Sequence, residues 1–122
     1  MENKIKVVVC DPFEEAKIRT IDNTLEELQK IVDGPIDVMH PWPLPVCLIC
    51  NEEGANRCLA VRRIVCGVPI FGTFIIVGDE GGEEFTSLRD SEANGFYQVY
   101  KTPWDSVKLA NFLADQLRRH GR

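Results

Sequence analysis

The sequence predicts one α+β domain with a small mixed or antiparallel sheet of about five strands and helices packed mainly on one face. Its 122 residues suit a single domain, placed at 1–122. Short β-branched and alternating apolar runs indicate strands, and stretches with capping residues and apolar stripes indicate helices. Taken in chain order, these segments give β-β-α-β-β-β-α-α.

The first two strands and the first helix have the most regular patterns. Apolar residues alternate in residues 5–9 and 16–20, which predicts a hairpin. Thr24, followed by Glu27, is the capping-box pattern that begins a helix. Gly34 is expected to adopt the left-handed conformation just after the last turn. The apolar stripe of this helix consists of Leu25, Leu28, Ile31 and Val32.

The middle of the chain predicts two further strands and one ambiguous segment. Residues 36–40 have a strand pattern, and the prolines of residues 41–45 make a stiff, extended connector. Residues 46–50 are continuously apolar, which is typical of a buried strand. The polar turn 51–54 follows. Residues 56–66 suit either a strand or a short helix.

The last third predicts one long strand and two helices. Val68–Val77 is strand-like and apolar on both faces, and Gly72 suggests a bulge or a close backbone approach. Ser87 is expected to cap the next helix, and Thr102 and Pro103 to open the last one. The apolar face of the first of these helices contains Ala93, Phe96, Tyr97 and Tyr100. The predicted buried stripe of the last helix contains Val107, Ala110, Leu113, Ala114 and Leu117.

Charge and hydropathy limit the classes of partner. The formal net charge of −5 argues against general nucleic-acid binding, which needs a basic face. The longest apolar stretch, Val68–Val77, is too short to span a membrane, and the first residues lack the apolar run of a secretory signal. We therefore expect a cytoplasmic protein with no membrane partner.

The five cysteines are expected to be reduced thiols rather than a metal site or disulfides. Cys47 and Cys50 form a C-x-x-C pattern, but on a strand their side chains point to opposite faces and cannot share an ion. Nothing in the sequence places His40 beside a thiol as a catalytic base. No metal or cofactor is expected. The cysteines are Cys10, Cys47, Cys50, Cys58 and Cys66.

The candidate ligand- or partner-binding residues are one aromatic and two polar groups. Trp42 lies between prolines, so it is either a rigid binding residue or a cap on one end of the core. The polar candidates lie at predicted strand ends, turns and caps, where a sheet can present them to a ligand. They are Asn51, Glu52, Asn56, Arg57, Thr86 and Ser87. Turn and capping roles are the competing interpretation.

Four sequence blocks resemble a known family. They are Ile21–Gln29, Leu48–Gly54, Gly72–Gly78 and Glu84–Leu88. In this order they resemble the domain-of-unknown-function family numbered 3846, over about residues 4–100, with an extra C-terminal helix at about 103–120 outside it. Cys47 and Cys58 stand where that family is expected to have small apolar residues, which argues further against a cysteine metal site. The resemblance implies phages and mobile elements of Gram-positive bacteria, and no activity.

The sequence leaves three hypotheses about function. The first is a non-enzymatic binding protein of phage or mobile-element origin, an anti-defence factor that binds a host protein or sequesters a signalling nucleotide. The alternative is a small ligand-binding domain or enzyme with a site at the Asn51–Gly54 and Phe85–Ser87 loops. The third is a homodimer. A second copy would cover the apolar face of Val68–Val77, with Trp42 or Trp104 nearby, unless the last helix crosses to cover it.

Overall fold

The computed structural model describes residues 4–120, and an antiparallel five-stranded sheet lies at the centre of this part of the chain. Its strand order is β2-β1-β7-β4-β3, and β5 and β6 form a separate hairpin. The elements are β1 (Lys4–Cys10), β2 (Lys17–Asp22), α1 (Leu25–Val32), β3 (Ile36–Met39), β4 (Val46–Asn51), β5 (Val61–Val65), β6 (Val68–Phe71), β7 (Phe74–Gly78), α2 (Asp90–Tyr100) and α3 (Ser106–His120). The α+β class and the antiparallel sheet of five strands are confirmed.

Strand β7 is the middle of the sheet, although it is the last of the five in the chain. Ile76 pairs with Val8 of β1 on one side and with Leu48 of β4 on the other. Every residue of β7 is buried. Because side chains alternate along a strand, Phe74 and Ile76 belong to one hydrophobic cluster and Ile75 and Val77 to the other. Both faces of β7 therefore carry a core.

The helices cover both faces of the sheet, whereas we expected them mainly on one. Leu28 and Val32 of α1 pack on the face that holds Ile75. Helix α2 and the β5–β6 hairpin cover the opposite face, with Ala93 and Ile70 in the same cluster. The physical reason is that β7 is apolar on both sides, and each side needs a cover. The apolar second face that suggested a homodimer is thus covered by α1.

A single glycine divides the segment that was expected to form one long strand. Gly72 has a φ of +86°, and a Cβ there would lie 2.9 Å from the Leu59 side chain. This left-handed, crowded position turns the chain out of β6 and into β7. The close backbone approach is confirmed, but Val68–Val77 forms two strands in two sheets. The ambiguous segment 56–66 contributes the partner strand β5.

The first helix begins as predicted and ends one residue earlier than expected. The Thr24 hydroxyl accepts a hydrogen bond from the Glu27 amide at 3.2 Å. At the other end, Asp33 rather than Gly34 takes the left-handed conformation, with a φ of 65°. A non-glycine residue adopts this conformation at a cost in free energy, so contacts from outside the helix have to stabilise it.

The other two helices begin later than their sequence signals indicated. Helix α2 starts at Asp90, and the Glu92 carboxylate accepts from the Arg89 amide at 2.8 Å, so Ser87 is not its cap. Helix α3 starts at Ser106, where the Asp105 carboxylate accepts from the Lys108 amide at 2.8 Å. A carboxylate is therefore the effective N-terminal acceptor at both helices, and Thr102 and Pro103 lie in the connection before α3.

Arg63 of β5 is a charged residue at the centre of the tertiary structure, with only 2% of its surface exposed. Its guanidinium donates to the carbonyl oxygens of Asp11 at 2.6 Å, Glu14 at 2.8 Å and Tyr100 at 2.8 Å. One side chain thereby joins the β1–β2 connection to the end of α2 and satisfies backbone groups that the sheet leaves unpaired.

Candidate functional site

The two polar loops that were expected to form one site lie at opposite ends of the sheet. Asn51 ends β4 and pairs with Ile36, whereas Val46 at the start of β4 pairs with Gly78, which in turn bridges Thr86. Five residues of extended chain separate these ends by about 16 Å. The structure therefore does not bring the Asn51–Gly54 and Phe85–Ser87 loops together.

Asn51 and Arg57 hold the strained end of α1. The Asn51 amide donates to the carbonyls of Val32 and Asp33, both at 3.0 Å, and its oxygen accepts from the Glu53 amide at 2.7 Å. The Arg57 guanidinium donates to the Asp33 carbonyl at 2.6 Å and to its carboxylate at 3.0 Å. These contacts stabilise the left-handed Asp33, and those of Asn51 use both of its amide donors.

We expect the Asn51→Ala substitution to lower the free energy of unfolding by about 2 kcal/mol, because it leaves buried backbone groups without partners. Urea denaturation, followed by circular dichroism, measures this as a lower midpoint at unchanged slope. Asn56→Ala is the matched control, since Asn56 is exposed on the same turn and should change stability by less than about 0.5 kcal/mol. Equal effects of the two substitutions would contradict the structural role of Asn51.

The remaining polar candidates have either backbone partners or solvent around them. The Ser87 hydroxyl accepts from the Lys6 amide at 3.0 Å, which fastens the segment after β7 to β1. The Thr86 hydroxyl oxygen is buried and has no hydrogen-bond partner among the described residues. Glu52 and Asn56 are exposed on the turn after β4. No common site arises from these four residues.

Trp42 packs against the core rather than standing free. Its ring centroid lies 4.7 Å from that of Phe96 and 6.4 Å from that of Tyr100, both on α2. Of the two interpretations from the sequence, this position matches the cap on one end of the core. The contact also fixes the proline-rich connector between β3 and β4 against α2.

The residues that sequence reasoning missed as a group are His40, Cys47 and Asp79. Their ligand atoms all lie within 4.8 Å of one another, and the structure shows no other such group of three among residues 4–119. His40 Nε2 is 2.8 Å from Asp79 Oδ2. Nothing in the sequence placed His40 beside a thiol, and the pairing of β3, β4 and β7 brings it beside Cys47. The available signal was only that His40 ends one predicted strand and that Asp79 lies two residues after another.

The electrostatics of this cluster centre on the carboxylate. The hydrogen bond from His40 is the main cause that lowers the pKa of Asp79, and the Gly81 amide adds to it. Burial raises the pKa of Cys47 to about 12, and the neighbouring Asp79 charge opposes the thiolate further. Cys47 points into the α1 side of the core and Cys50 into the α2 side, so the prediction of opposite faces is confirmed. All five cysteines carry free thiols.

Three open surface clefts differ in the charge of their side chains. The largest of these three has a volume of about 540 Å³, lies between α1, β2 and the β1–β2 connection, and has both acidic and basic side chains, whereas the charged side chains of the other two are all acidic. Two others have volumes of about 170 Å³. The charged side chains that line the largest cleft are Asp11, Glu14, Glu15, Glu27, Lys17, Arg19 and Lys30. Neighbouring acids and bases of this kind give no field of one sign for a charged small molecule.

Helix α3 exposes the apolar stripe that was expected to be buried. Val107, Leu113 and Leu117 are 70%, 46% and 72% exposed. The opposite side of the helix carries Phe112, whose ring makes an edge-on contact with that of Trp104, just before the helix, at 5.7 Å between ring centroids. Spacing alone shows that a helix has an apolar side, and it does not show that this side faces the core.

Comparison with known proteins identifies one family and no further relative. The family model described as "Domain of unknown function (DUF3846)" matches residues 5–101, which leaves α3 outside the matched region. Searches of curated proteins and of solved structures gave no match. Within the described residues, no helix has both the length and the apolar character needed to cross a bilayer.

Proposed function

Because the chain belongs to the DUF3846 family, whose description assigns no activity, we propose its function from its surface. We propose a non-enzymatic, cytoplasmic binding protein that inserts the apolar face of α3 into a groove on a host protein. The phage or mobile-element origin rests on the family resemblance, the anti-defence role rests on what small proteins of such elements often do, and both are part of the same proposal. The observation that carries the proposal is the solvent-facing stripe of α3.

The stripe has the spacing of a helix that docks in a groove. Val107, Ala110, Ala114 and Leu117 follow one another at i, i+3, i+7 and i+10, the anchor pattern of helix-in-groove recognition. Side chains of this size exposed along one line are uncommon on a monomer surface and are typical of an interface. The Trp104–Phe112 contact and the hydrogen bond from the Trp104 amide to the Arg62 carbonyl at 2.7 Å fasten the base of the helix.

Charge indicates the chemistry of the partner. Arg118 and Arg119 lie near the end of α3 and share the single carboxylate of Asp115, which leaves this end of the helix positive, whereas Lys108 Nζ lies over the Trp104 ring. A second copy would bring the same positive charges against these, which disfavours pairing of two α3 helices. An apolar groove with carboxylates at its rim complements both the stripe and its charge. We therefore propose that the partner is an acidic host protein.

A signalling nucleotide is the less suitable partner. Phosphate groups are bound by backbone amides at helix N-termini or by clustered cations. The largest described cleft has four acidic and three basic side chains, so its field does not favour an anion. Among the described residues, no surface favours nucleotide binding in the way that the exposed stripe of α3 favours binding of a protein groove.

We expect the protein to raise phage plating at least about tenfold on a host that carries the targeted defence system. Leu113→Gln combined with Leu117→Gln should abolish this gain, since glutamine keeps the helix and removes the apolar contact. Val99→Gln is the matched control, because Val99 is a 71% exposed aliphatic residue on α2. Absence of any gain across a broad panel of defence systems would contradict the anti-defence role.

Light scattering on the same proteins separates a host partner from a second copy. If α3 binds an acidic groove on a host protein, the wild-type protein alone is a monomer with a mass of about 13.8 kDa at all concentrations. A mass of twice this value that returns to 13.8 kDa in the Leu113→Gln, Leu117→Gln variant would show that α3 binds another copy, as in the homodimer hypothesis. That result would overturn the choice of partner.

A further inference from the structure

We propose that His40, Cys47 and Asp79 form a binding site for a divalent transition-metal ion of the zinc class, with one coordination position open to solvent. The proposal goes beyond the docking of α3 and does not depend on it. It is carried by three ligand side chains of different chemistry that converge from three strands.

The sheet topology creates the site. Strands β3, β4 and β7 are neighbours in the sheet, and the chain leaves β3, enters β4 and leaves β7 at the same end. His40 follows β3, Cys47 is the second residue of β4, and Asp79 follows β7. The imidazole nitrogen, the sulfur and a carboxylate oxygen consequently lie within 4.8 Å of one another. An ion of zinc size, with bonds of about 2.0–2.3 Å, bridges atoms at such separations after small side-chain shifts.

Local contacts hold two of the ligands in place. The Asp79 amide donates to the Pro45 carbonyl at 2.8 Å, and the Gly81 amide donates to Asp79 Oδ1 at 3.2 Å. Asp79 is thereby oriented with Oδ2 towards His40. The connector between His40 and Cys47 contains three prolines and is fastened by Trp42 against Phe96. A site whose ligands are already positioned loses less conformational entropy when it binds.

The ligand types select the kind of metal. A thiolate, an imidazole and a carboxylate together suit zinc and its neighbours better than the hard cations magnesium or calcium, which prefer oxygen ligands. Three protein ligands leave the fourth tetrahedral position free, and the His40 side chain is 59% exposed. On binding, the metal–sulfur bond replaces the S–H bond of Cys47, and the proton is released to solvent.

The same geometry argues against a cysteine nucleophile. Catalytic thiols are activated by an imidazole that takes their proton. Here the imidazole is paired with a carboxylate instead, because His40 Nε2 lies 2.8 Å from Asp79 Oδ2. A negative charge beside the thiol opposes the thiolate, whereas a bound cation would stabilise it. The cluster is therefore arranged for a metal rather than for covalent catalysis.

Titration of the full chain with Co²⁺ tests the proposal, because cobalt bonded to a thiolate gives a sulfur-to-metal charge-transfer absorption. We expect this absorption to saturate at one equivalent and to disappear when Zn²⁺ is added in competition. Cys47→Ala should abolish it. Cys50→Ala is the matched control, since Cys50 is a buried thiol on the same strand that faces the opposite cluster, and it should leave the absorption unchanged.

His40→Ala provides the second variant, because His40 is exposed and its removal does not disturb the core. It should weaken Co²⁺ binding at least about tenfold without changing the circular dichroism spectrum. Absence of a charge-transfer band in the wild type, or a band that persists in Cys47→Ala, would overturn the proposal. Equal binding by the wild type and His40→Ala would overturn it as well.

Discussion

The Arg63→Ala substitution is expected to lower the free energy of unfolding by about 4 kcal/mol. The guanidinium donates to backbone carbonyls of Asp11, Glu14 and Tyr100. Without it, these part-buried carbonyls lose a charged donor, and the volume of the buried side chain becomes a cavity. Thermal unfolding should show a fall in Tm of about 15 °C.

Arg62→Ala is the control for this experiment. Arg62 is the preceding residue on β5, and its guanidinium donates to the neighbouring Val61 carbonyl at 3.2 Å, so its loss should cost less than about 1 kcal/mol. Arg63→Lys should recover little of the lost stability, because an ammonium group cannot reach carbonyls on several sides at once. Similar Tm values for the Arg62 and Arg63 alanine variants would contradict the joining role of Arg63.

The Gly78→Ala substitution is expected to cost about 3 kcal/mol through overcrowding. A Cβ at this position would clash with Thr86 Oγ1 and lie 2.8 Å from the carbonyl oxygens of Thr86 and Ser87. Two of these atoms belong to the backbone, so the bridge between Gly78 and Thr86 has to open. Denaturation in urea should show a lower midpoint, and amide exchange should rise first at the Thr86 amide, which donates to the Gly78 carbonyl.

Two further variants identify the cause of the Gly78 effect. Gly82→Ala should leave stability within about 0.5 kcal/mol, because no atom lies within 4 Å of a Cβ there. Adding Thr86→Ala to Gly78→Ala should restore little, since it removes the hydroxyl clash and leaves both carbonyl clashes in place. Full recovery in this double variant would show that the backbone approach is not the source of the cost.

Local patterns in the sequence predicted the elements whose stability is local. The Thr24 cap of α1 and the alternation of side chains along β7 and β4 depend on neighbouring residues, and the structure has them. The division of Val68–Val77 depends on Gly72 facing Leu59, which is a tertiary contact. Similarly, α3 has the apolar stripe that the sequence indicates. Which way this stripe faces depends on the contact between Trp104 and Phe112, which is a tertiary feature.

The candidate metal site illustrates why functional groups were harder to predict than strands. Cys47 attracted notice through its spacing to Cys50, yet the strand places those two thiols on opposite faces. Its actual neighbours, His40 and Asp79, are distant from each other in the chain and meet through the order β7-β4-β3. Strand order follows from pairing across the whole sheet, which no local pattern encodes. Asn51 and Arg57, in contrast, were expected to bind a ligand and instead support α1.

The position of β7 has a consequence for how the chain acquires its structure during synthesis. The β1–β2 and β3–β4 hairpins are complete by residue 51, but they are not hydrogen-bonded to each other, because β7 lies between them in the sheet. A nascent chain whose residues 74–78 have not yet left the ribosome therefore contains two separate two-stranded hairpins, each too small to be stable alone. The five-stranded sheet can form only after this apolar segment has been synthesised. Until then the inner edges of β1 and β4 are unpaired and can pair with strands of other chains, which is the kind of exposed edge that chaperones protect.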